Sequence, residues 1–192
     1  NCCPLTDTGL CYLAKGLTRL HSLKSSSLEF SRTGQFTDTG IIYFSRSLRK
    51  MRSLKDLQLE LFHLEKVTEK GLYKLHGSLN HLAKLENINW DLCYSSSLTD
   101  LGLSRLKFKR LVSLREVFLR FSGCKQLTDK GIYFLTQSLK GLPNLQKMTL
   151  DMCESPKIGD LGLNWIWEMM ATLPWLREIS LLFSECSKIT AT

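Results

Sequence analysis

Three kinds of side chain in this sequence could carry chemistry: seven cysteines, four histidines and a Thr-Asp pair that recurs along the chain. Such groups bind metals or activate nucleophiles only when they converge at suitable spacings. The histidines occupy unrelated positions in the repeat described below, and Cys93 and Cys153 would lie about 10 Å apart. No P-loop, dinucleotide fingerprint, G-x-S-x-G or H-E-x-x-H motif occurs. We therefore predict no catalytic residue, no metal site and no cofactor, and we expect neither enzymatic activity nor a small-molecule substrate.

The Thr-Asp pair is part of a repeat whose glycine marks the register. The glycines stand at positions 9, 40, 71, 102, 131 and 162, so the units are 31 residues long except for one of 29. After each glycine, apolar residues at offsets of 1, 4, 8 and 11 follow one face of a helix. Thr or Gly followed by Asp supplies an N-cap and a carboxylate near the positive helix end. The recurrent Asp is therefore predicted to be a helix cap.

Each predicted helix is followed by the alternating pattern of a short strand, as at Leu54, Leu57, Leu59 and Leu61. A strand and a helix at constant spacing predict parallel strands about 4.8 Å apart, with every helix on the other side. We predict an α/β solenoid, a single horseshoe-shaped domain over residues 1–192 with about six repeats of 31 residues. Its strands should form the concave face and its helices the convex face. The short fourth unit should have a shorter helix.

The order L-x-x-L-x-L, then Cys, then L-T-D-x-G-L resembles the leucine-rich repeats of intracellular proteins, the helix-rich kind. Residues 124–129 (C-K-Q-L-T-D) and 186–190 (C-S-K-I-T) are similar to the cysteine-containing repeats of F-box substrate receptors, while the unit length is nearer to the ribonuclease-inhibitor kind. The resemblance implies a macromolecule-binding surface and, in the F-box case, a substrate adaptor of a ubiquitin ligase. The pattern breaks off in mid-unit at both ends, so we expect a fragment of a longer array, truncated at both ends.

One solvent-facing position of each predicted strand forms a row across the concave face, and most of its members are acidic. Like charges at strand spacing repel, so the row favours either a basic partner or neutralisation by neighbouring cations. The cations expected to neutralise it are Lys24, Lys55, Arg115 and Arg177. We predict a non-catalytic interaction module that binds a protein partner through this face, with partner-binding residues Glu29, Glu60, Phe62, Asp91, Phe118, Arg120 and Asp151.

From each repeat glycine to offset 14 (offset 12 in the short fourth unit), the helix windows contain 13 Lys or Arg residues against a single acid, Glu168. Solvation and helix capping account for some of this charge. An acidic partner, RNA or a cytoskeletal surface, is the alternative, which would make the chain a scaffold subunit of a ribonucleoprotein or of a cytoskeletal or axonemal assembly. The charge is concentrated in units two and four, and we predict a basic convex face made of Arg46, Arg49, Lys50, Arg52, Arg105, Lys107, Lys109 and Arg110.

The composition, 43% hydrophobic and 23% charged, is that of an ordinary globular protein. The apolar stretches are shorter than the roughly 18 residues of a membrane span, so we expect no membrane insertion. Seven cysteines placed within the repeat pattern indicate free thiols in a reducing compartment, hence a cytoplasmic location, with nuclear or ciliary sites left open. The state of Cys2 and Cys3 is undefined. We also expect Trp90 in the core and Trp167 more exposed than Trp165.

Overall fold

Each copy of the repeat folds into one helix followed by one strand. The structure, a computed structural model, describes residues 5–30 and 35–190, so Cys2 and Cys3 lie outside the described residues. We call a helix with the strand and turn that follow it a unit. The elements are α1 (Asp7–Leu17), β1 (Ser25–Glu29), α2 (Asp38–Leu48), β2 (Asp56–Glu60), α3 (Glu69–Leu79), β3 (Asn87–Asp91), α4 (Asp100–Leu103), a 3₁₀-helix (Phe108–Arg110), β4 (Glu116–Arg120), α5 (Asp129–Leu139), β5 (Lys147–Asp151), α6 (Asp160–Met170) and β6 (Glu178–Leu182).

The six strands form one parallel sheet in chain order, β1 to β6. Their register aligns equivalent positions of neighbouring units, so that Gln58 pairs with Asn89 and Asn89 with Phe118. The units therefore stack without any shift. This arrangement confirms the predicted α/β solenoid of about six repeats, and it turns each position of the repeat into a row of side chains across the sheet.

Alternate strand residues point to one continuous apolar core, where they meet the helices. In unit two, Leu57 and Leu59 are buried, and in unit three Ile88 and Trp90 take the same positions. Burying one such side chain contributes roughly 1.5–3 kcal/mol, which explains why the leucine pattern alone determines the register. Trp90, with 1% of its surface exposed, is in the core as predicted.

The sheet must curve because helices are wider than strands. Adjacent parallel strands lie about 4.8 Å apart, whereas packed helices need about 8–10 Å between their axes. Every helix contacts the helix of the next unit. The stack therefore bends with its strands on the inside, and we call the solvent-facing side of the sheet the strand face.

Carboxylates in the first turn of each helix join neighbouring units. Asp7 Oδ1 accepts hydrogen bonds from the backbone N–H groups of Thr37 (2.7 Å) and Gly40 (2.8 Å) in the next unit. Equivalent bonds to the next unit are made by Asp38, Glu69, Asp100, Asp129 and Asp160. A Cβ atom on Gly40 would lie 2.6 Å from Asp7 Oδ1, which explains the repeat glycine. The acidic residue that we predicted to cap its own helix therefore binds the start of the following helix.

Unit four confirms the predicted shorter helix. Its α4 has only four residues and is followed by a turn and the 3₁₀-helix Phe108–Arg110. The fully buried ring of His76, on α3, packs against α4, with Nδ1 2.9 Å from the carbonyl oxygen of Gly102. The ring also contacts Trp90, at 5.6 Å between ring centroids.

Candidate functional site

The predicted row of charged residues exists on the strand face. Pairing of the strands brings Glu29 beside Glu60, Glu60 beside Asp91, Asp91 beside Arg120, and Arg120 beside Asp151. Glu29 and Arg120 are exposed and Glu60 is half-buried, as a solvent-facing row requires. The prediction of a solvent-facing position is wrong for two members, because Asp91 and Asp151 keep only 3% and 8% of their surface exposed.

These two aspartates are buried because each one caps the turn that follows its own strand. Asp91 Oδ1 accepts the backbone N–H of Cys93 at 2.9 Å, and Asp151 Oδ1 accepts that of Cys153 at 3.2 Å. Burial raises the pKa of Asp151, but hydrogen bonds from Ser122 and Cys153 and the charge of Arg120 outweigh it, so the pKa is below its ordinary value. Both carboxylates are therefore part of the turn as well as of the surface.

Arg120 supplies the neutralisation of the row. Its Nη1 lies 3.1 Å from Asp91 Oδ2 and its Nε lies 3.6 Å from Asp151 Oδ2. We expected the neighbouring cations Lys24, Lys55, Arg115 and Arg177 to do this. The recorded partner of Lys55 and Arg115 is instead Glu86, at the start of the strands. Lys55 and Arg115 lie at the strand starts, whereas the charged row lies at the strand ends, on the opposite edge of the sheet.

A pocket opens where strands β2 to β5 end, and we call it the rim pocket. It encloses about 440 Å³ and is lined by Glu60, Phe62, His63, Asp91, Cys93, Tyr94, Arg120, Ser122, Asp151, Cys153 and Glu154. Four carboxylates thus face one guanidinium group. The rim pocket brings five of the seven predicted partner-binding residues together, while Glu29 lies farther along the same row and Phe118 lies in the middle of β4.

Two stacked rings form one wall of the rim pocket. The imidazole of His63 lies parallel to the ring of Tyr94, with 4.9 Å between centroids and 6° between planes. Tyr94 in turn donates a 2.8 Å hydrogen bond from its hydroxyl to Glu154 Oε1, which raises the pKa of Tyr94. Gly123, of the unit between Tyr94 and Glu154, lies against the Tyr94 ring. Its φ is 68°, and a Cβ atom on it would collide with that ring.

Sequence reasoning missed this wall. His63, Tyr94, Gly123 and Glu154 each stand three residues after a member of the charged row. All four have positive φ, so each turn after β2 to β5 holds a residue in the left-handed conformation at this position. Aligning this position between units would have revealed the column, but the repeat pattern does not indicate that one ring passes over the next unit.

The cysteines have structural roles. The described thiols Cys11, Cys93, Cys124, Cys153 and Cys186 are free, as predicted. Cys124 Sγ donates a 3.2 Å hydrogen bond to the carbonyl of Leu92 in the preceding unit, and Cys186 does the same to Met152. Burial raises the pKa of Cys124 to about 12, and burial together with Asp91 raises that of Cys93 to about 12. Such thiols are poor nucleophiles near neutral pH.

The middle of the strand face is a shallower groove of about 330 Å³. Phe118, half-buried, lies on it beside Asn89, Gln58 and Ser27, of which Gln58 donates a 2.8 Å hydrogen bond from its side-chain amide to Glu60 Oε1. Phe62 lies at the ends of the strands and Phe118 lies at their middle. The same face thus has apolar side chains at both positions. The groove and the rim pocket form one surface along the ends and the middles of β2 to β4.

The predicted basic residues lie mainly at the edge where helices end, rather than across the outward side of the helices. Arg46 is in the last turn of α2, Arg49 is its C-cap residue, and Lys50 and Arg52 follow in the turn. Lys109 and Arg110 are in the 3₁₀-helix of unit four, Lys107 is its N-cap residue, and Arg105 stacks on Tyr73. Helices end and strands begin at this edge, so it is opposite the rim pocket.

The two tryptophans of α6 differ as predicted. Trp167 is 65% exposed, whereas Trp165 is half-buried and packs edge-on against Tyr133, at 5.0 Å between centroids. Within residues 5–30 and 35–190, no group of three or more His, Cys, Asp or Glu residues could hold a metal ion. No helix in the described part of the chain combines the length and the apolar character needed to cross a bilayer.

The fold and the site define a class of protein: an α/β repeat solenoid with a polar and aromatic strand face, an acidic rim pocket at one edge and a basic edge opposite. No protein-family model matches the chain, and no curated protein matches it either.

Proposed function

We propose that this chain is a non-catalytic interaction module that binds a protein partner through its strand face. The observation that carries the proposal is the rim pocket, where acidic and aromatic side chains from four consecutive units meet. Interfaces are rich in aromatic and Arg side chains surrounded by polar groups, and this surface has that composition. An extended protein segment would follow the rows of the sheet, with one side chain in the rim pocket.

The side chain that best fits the rim pocket is basic. Glu60, Asp91, Asp151 and Glu154 exceed the single positive charge of Arg120, so the pocket attracts a second cation. The pocket also holds the ring of Phe62, and an aromatic ring adds about 0.5–2 kcal/mol to the binding of a guanidinium or ammonium group. The partner we propose is therefore a protein segment that carries Lys or Arg.

The repeat is of the leucine-rich kind in our proposal. Its supports are the L-x-x-L-x-L pattern of the buried strand residues and the cysteine that hydrogen-bonds to the preceding unit. A substrate adaptor of a ubiquitin ligase would be one use of such a module. The free thiols are compatible with a reducing compartment, such as the cytoplasm.

Selection from a random peptide library on phage tests the strand-face proposal. The 192-residue chain is the target, and the variant Phe62→Ala/Phe118→Ala removes the proposed apolar contacts. We expect enriched peptides to contain Lys or Arg and to bind the unchanged chain at least tenfold more tightly than the variant. Enrichment of peptides without basic residues, or equal binding to both proteins, would contradict the proposal.

Two further variants separate binding from folding. Glu60→Gln/Glu154→Gln keeps the side-chain shapes and the acceptor for Tyr94, and it should weaken the enriched peptides severalfold by removing two charges from the rim pocket. Glu65→Gln/Glu168→Gln removes the same charge elsewhere and should leave binding within twofold. As a control for lost aromatic surface, Tyr12→Ala/Trp167→Ala changes exposed residues on the helices only.

A second candidate is a scaffold subunit that docks an acidic partner by its basic residues. The observation that favours it is a cluster at the helix-end edge, where Arg46, Arg49, Lys50 and Arg52 line one opening with His81. This surface is distinct from the rim pocket, so a protein could use both.

A further inference from the structure

The turn after α2 presents a concentrated positive charge. Arg46, Arg49, Lys50, Arg52 and His81 line an opening of about 420 Å³, and we call this surface the basic edge. Arg46, Arg49, Lys50 and Arg52 are exposed residues of unit two, while His81 is exposed in the turn after α3. The stacking of units thus combines cations from one turn with an imidazole from the next.

The charge of the basic edge is not neutralised by the described part of the chain. The ion pairs recorded among residues 5–30 and 35–190 join residues on or just before the strands, and none involves the basic edge. The C-terminal end of α2 offsets some charge, but a helix end carries only about half an elementary charge. Four cationic side chains therefore remain largely uncompensated.

Cations from two units act on the imidazole of a third. Burial lowers the pKa of His81, and the charges of Arg49, Arg52 and Arg110 lower it further. Arg110 belongs to unit four, so the positive field extends from unit two across His81 of unit three to the 3₁₀-helix. A bound anion would relieve this repulsion.

Two aromatic rings on the helices, the exposed Tyr43 and the half-buried Tyr73, lie under cationic side chains. Tyr43, on α2, is 42% exposed, and the guanidinium of Arg46 lies over its ring at 5.5 Å from the centroid. On the neighbouring helix, Arg105 lies over Tyr73 at 4.1 Å. Proteins that bind single-stranded nucleic acids combine a positive groove for the phosphates with aromatic rings and Arg planes for the bases.

We propose that the basic edge binds the phosphate backbone of a single-stranded nucleic acid, with the rings of Tyr43 and Tyr73 next to its bases. The inference rests on the second candidate function, since it names the acidic partner that the basic residues meet. An Arg-rich cluster suits this ligand because planar guanidinium groups bind phosphate oxygens in pairs. An acidic polypeptide would use the cations but would have no use for the adjoining aromatic rings.

Fluorescence anisotropy with a labelled oligouridylate tests the inference. The unchanged 192-residue chain should bind it, and log Kd should rise with log salt concentration by about 0.7 for each phosphate contacted. Arg49→Gln/Lys50→Gln/Arg52→Gln should weaken binding at least tenfold and flatten the salt dependence. Tyr43→Ala should weaken binding severalfold without flattening it, because it removes a stacking surface and no charge.

The matched control removes three cations from the opposite edge. Lys66→Gln/Lys125→Gln/Lys157→Gln changes exposed lysines in the turns between strands and helices, so the net charge falls equally. This variant should bind within twofold of the unchanged chain. Equal loss in both triple variants would show general attraction by net charge and overturn the inference.

Two competitors separate nucleic acid from other polyanions. Displacement of the oligouridylate by polyglutamate at equal charge concentration would overturn the inference but leave the scaffold candidate intact. Binding to phosphatidylserine vesicles without binding to the oligouridylate would overturn it in favour of a membrane surface. Failure to bind any of the three probes would remove both the inference and the scaffold candidate, without affecting the strand face.

Discussion

The hydroxyl of Tyr94 donates a 2.8 Å hydrogen bond to Glu154, although a whole unit lies between the two residues. The ring reaches that far because it lies flat over Gly123, the residue at the equivalent position of the intervening unit. On its other side the ring stacks on His63. The wall of the rim pocket therefore spans four units and depends on a missing side chain in one of them.

Gly123→Ala should destabilise the chain by about 2–3 kcal/mol. A φ of 68° costs an L-residue roughly 1–2 kcal/mol, and the new Cβ would also displace the Tyr94 ring. Urea unfolding followed by circular dichroism measures the loss, and weaker binding of the strand-face peptides would report the displaced ring.

Two other glycines separate the causes. Gly141 has φ of 73° and open space around it, so Gly141→Ala should cost only the backbone strain. Gly77, in α3, has neither constraint, so Gly77→Ala should stabilise the helix by about 0.5–1 kcal/mol. Equal effects at Gly123 and Gly141 would show that the Tyr94 ring moves away without cost.

Asp100→Ala should destabilise the stack by about 1.5–3 kcal/mol, the usual cost of losing hydrogen bonds to a charged group. Asp100 accepts the backbone N–H of Thr128 at 2.9 Å and its hydroxyl at 2.7 Å. Glu69 holds the same position in unit three but is bonded to the Thr99 hydroxyl alone. Glu69→Ala should therefore cost less, and a larger loss at Glu69 in urea unfolding would contradict this account of the carboxylate column.

The buried His76 should make the protein less stable as the pH falls below about 6.5. Burial lowers the pKa of His76 from 6.5 to about 4, and no hydrogen-bond partner is present at Nε2 among the described residues. Between those values the unfolded chain takes up a proton that the folded chain does not. The penalty grows through this window and reaches about 3 kcal/mol near pH 4.

The comparison protein for this effect is His76→Gln, which does not titrate. Carboxylates change the stability of both proteins alike, so the relevant quantity is the difference between their free energies of unfolding. We expect the unchanged chain to lose stability relative to His76→Gln as the pH is lowered from 7.5 to 4.5. A pH-independent difference would mean that the imidazole reaches water.

Arg120→Ala should destabilise the chain by about 1–2 kcal/mol, because it leaves Asp91 and Asp151 buried without a counter-charge. The exposure of Arg120 keeps the loss below that of a fully buried pair. Removing the guanidinium should also raise the pKa of Asp151, which NMR titration can follow. Arg115→Ala, whose partner Glu86 is 4.0 Å away, should change stability by less than about 0.5 kcal/mol.

Much of the fold and part of the site could be predicted from spacing. The repeat pattern, with a step of 31 and then one of 29 residues, aligned Glu60, Asp91 and Arg120 correctly, because parallel strands in neighbouring units keep a fixed register. The free cysteines and the inward position of Trp90 followed from the same alignment. The burial of Asp91 and Asp151 did not, since it depends on the turn that each carboxylate caps.

Features that connect units were harder to predict. The Asp7 carboxylate looked like a cap of its own helix, but its hydrogen bonds go to Thr37 and Gly40 in the next unit. The path of the Tyr94 ring was invisible because the repeat pattern describes equivalent positions and not which neighbour a long side chain chooses. The basic residues were expected on the convex face towards the helix ends, and the structure places most of them in the turns just beyond those ends.

The hydrogen bond between Tyr94 and Glu154 also affects how cooperatively the repeat units unfold. Solenoids behave approximately as one-dimensional chains, in which each repeat is coupled only to its two nearest neighbours and unfolding can begin at any weak junction. Unit four, with its four-residue helix, would be such a junction. The hydrogen bond from Tyr94 of unit three to Glu154 of unit five connects the two neighbours of unit four. Units three to five should therefore unfold as a single cooperative block.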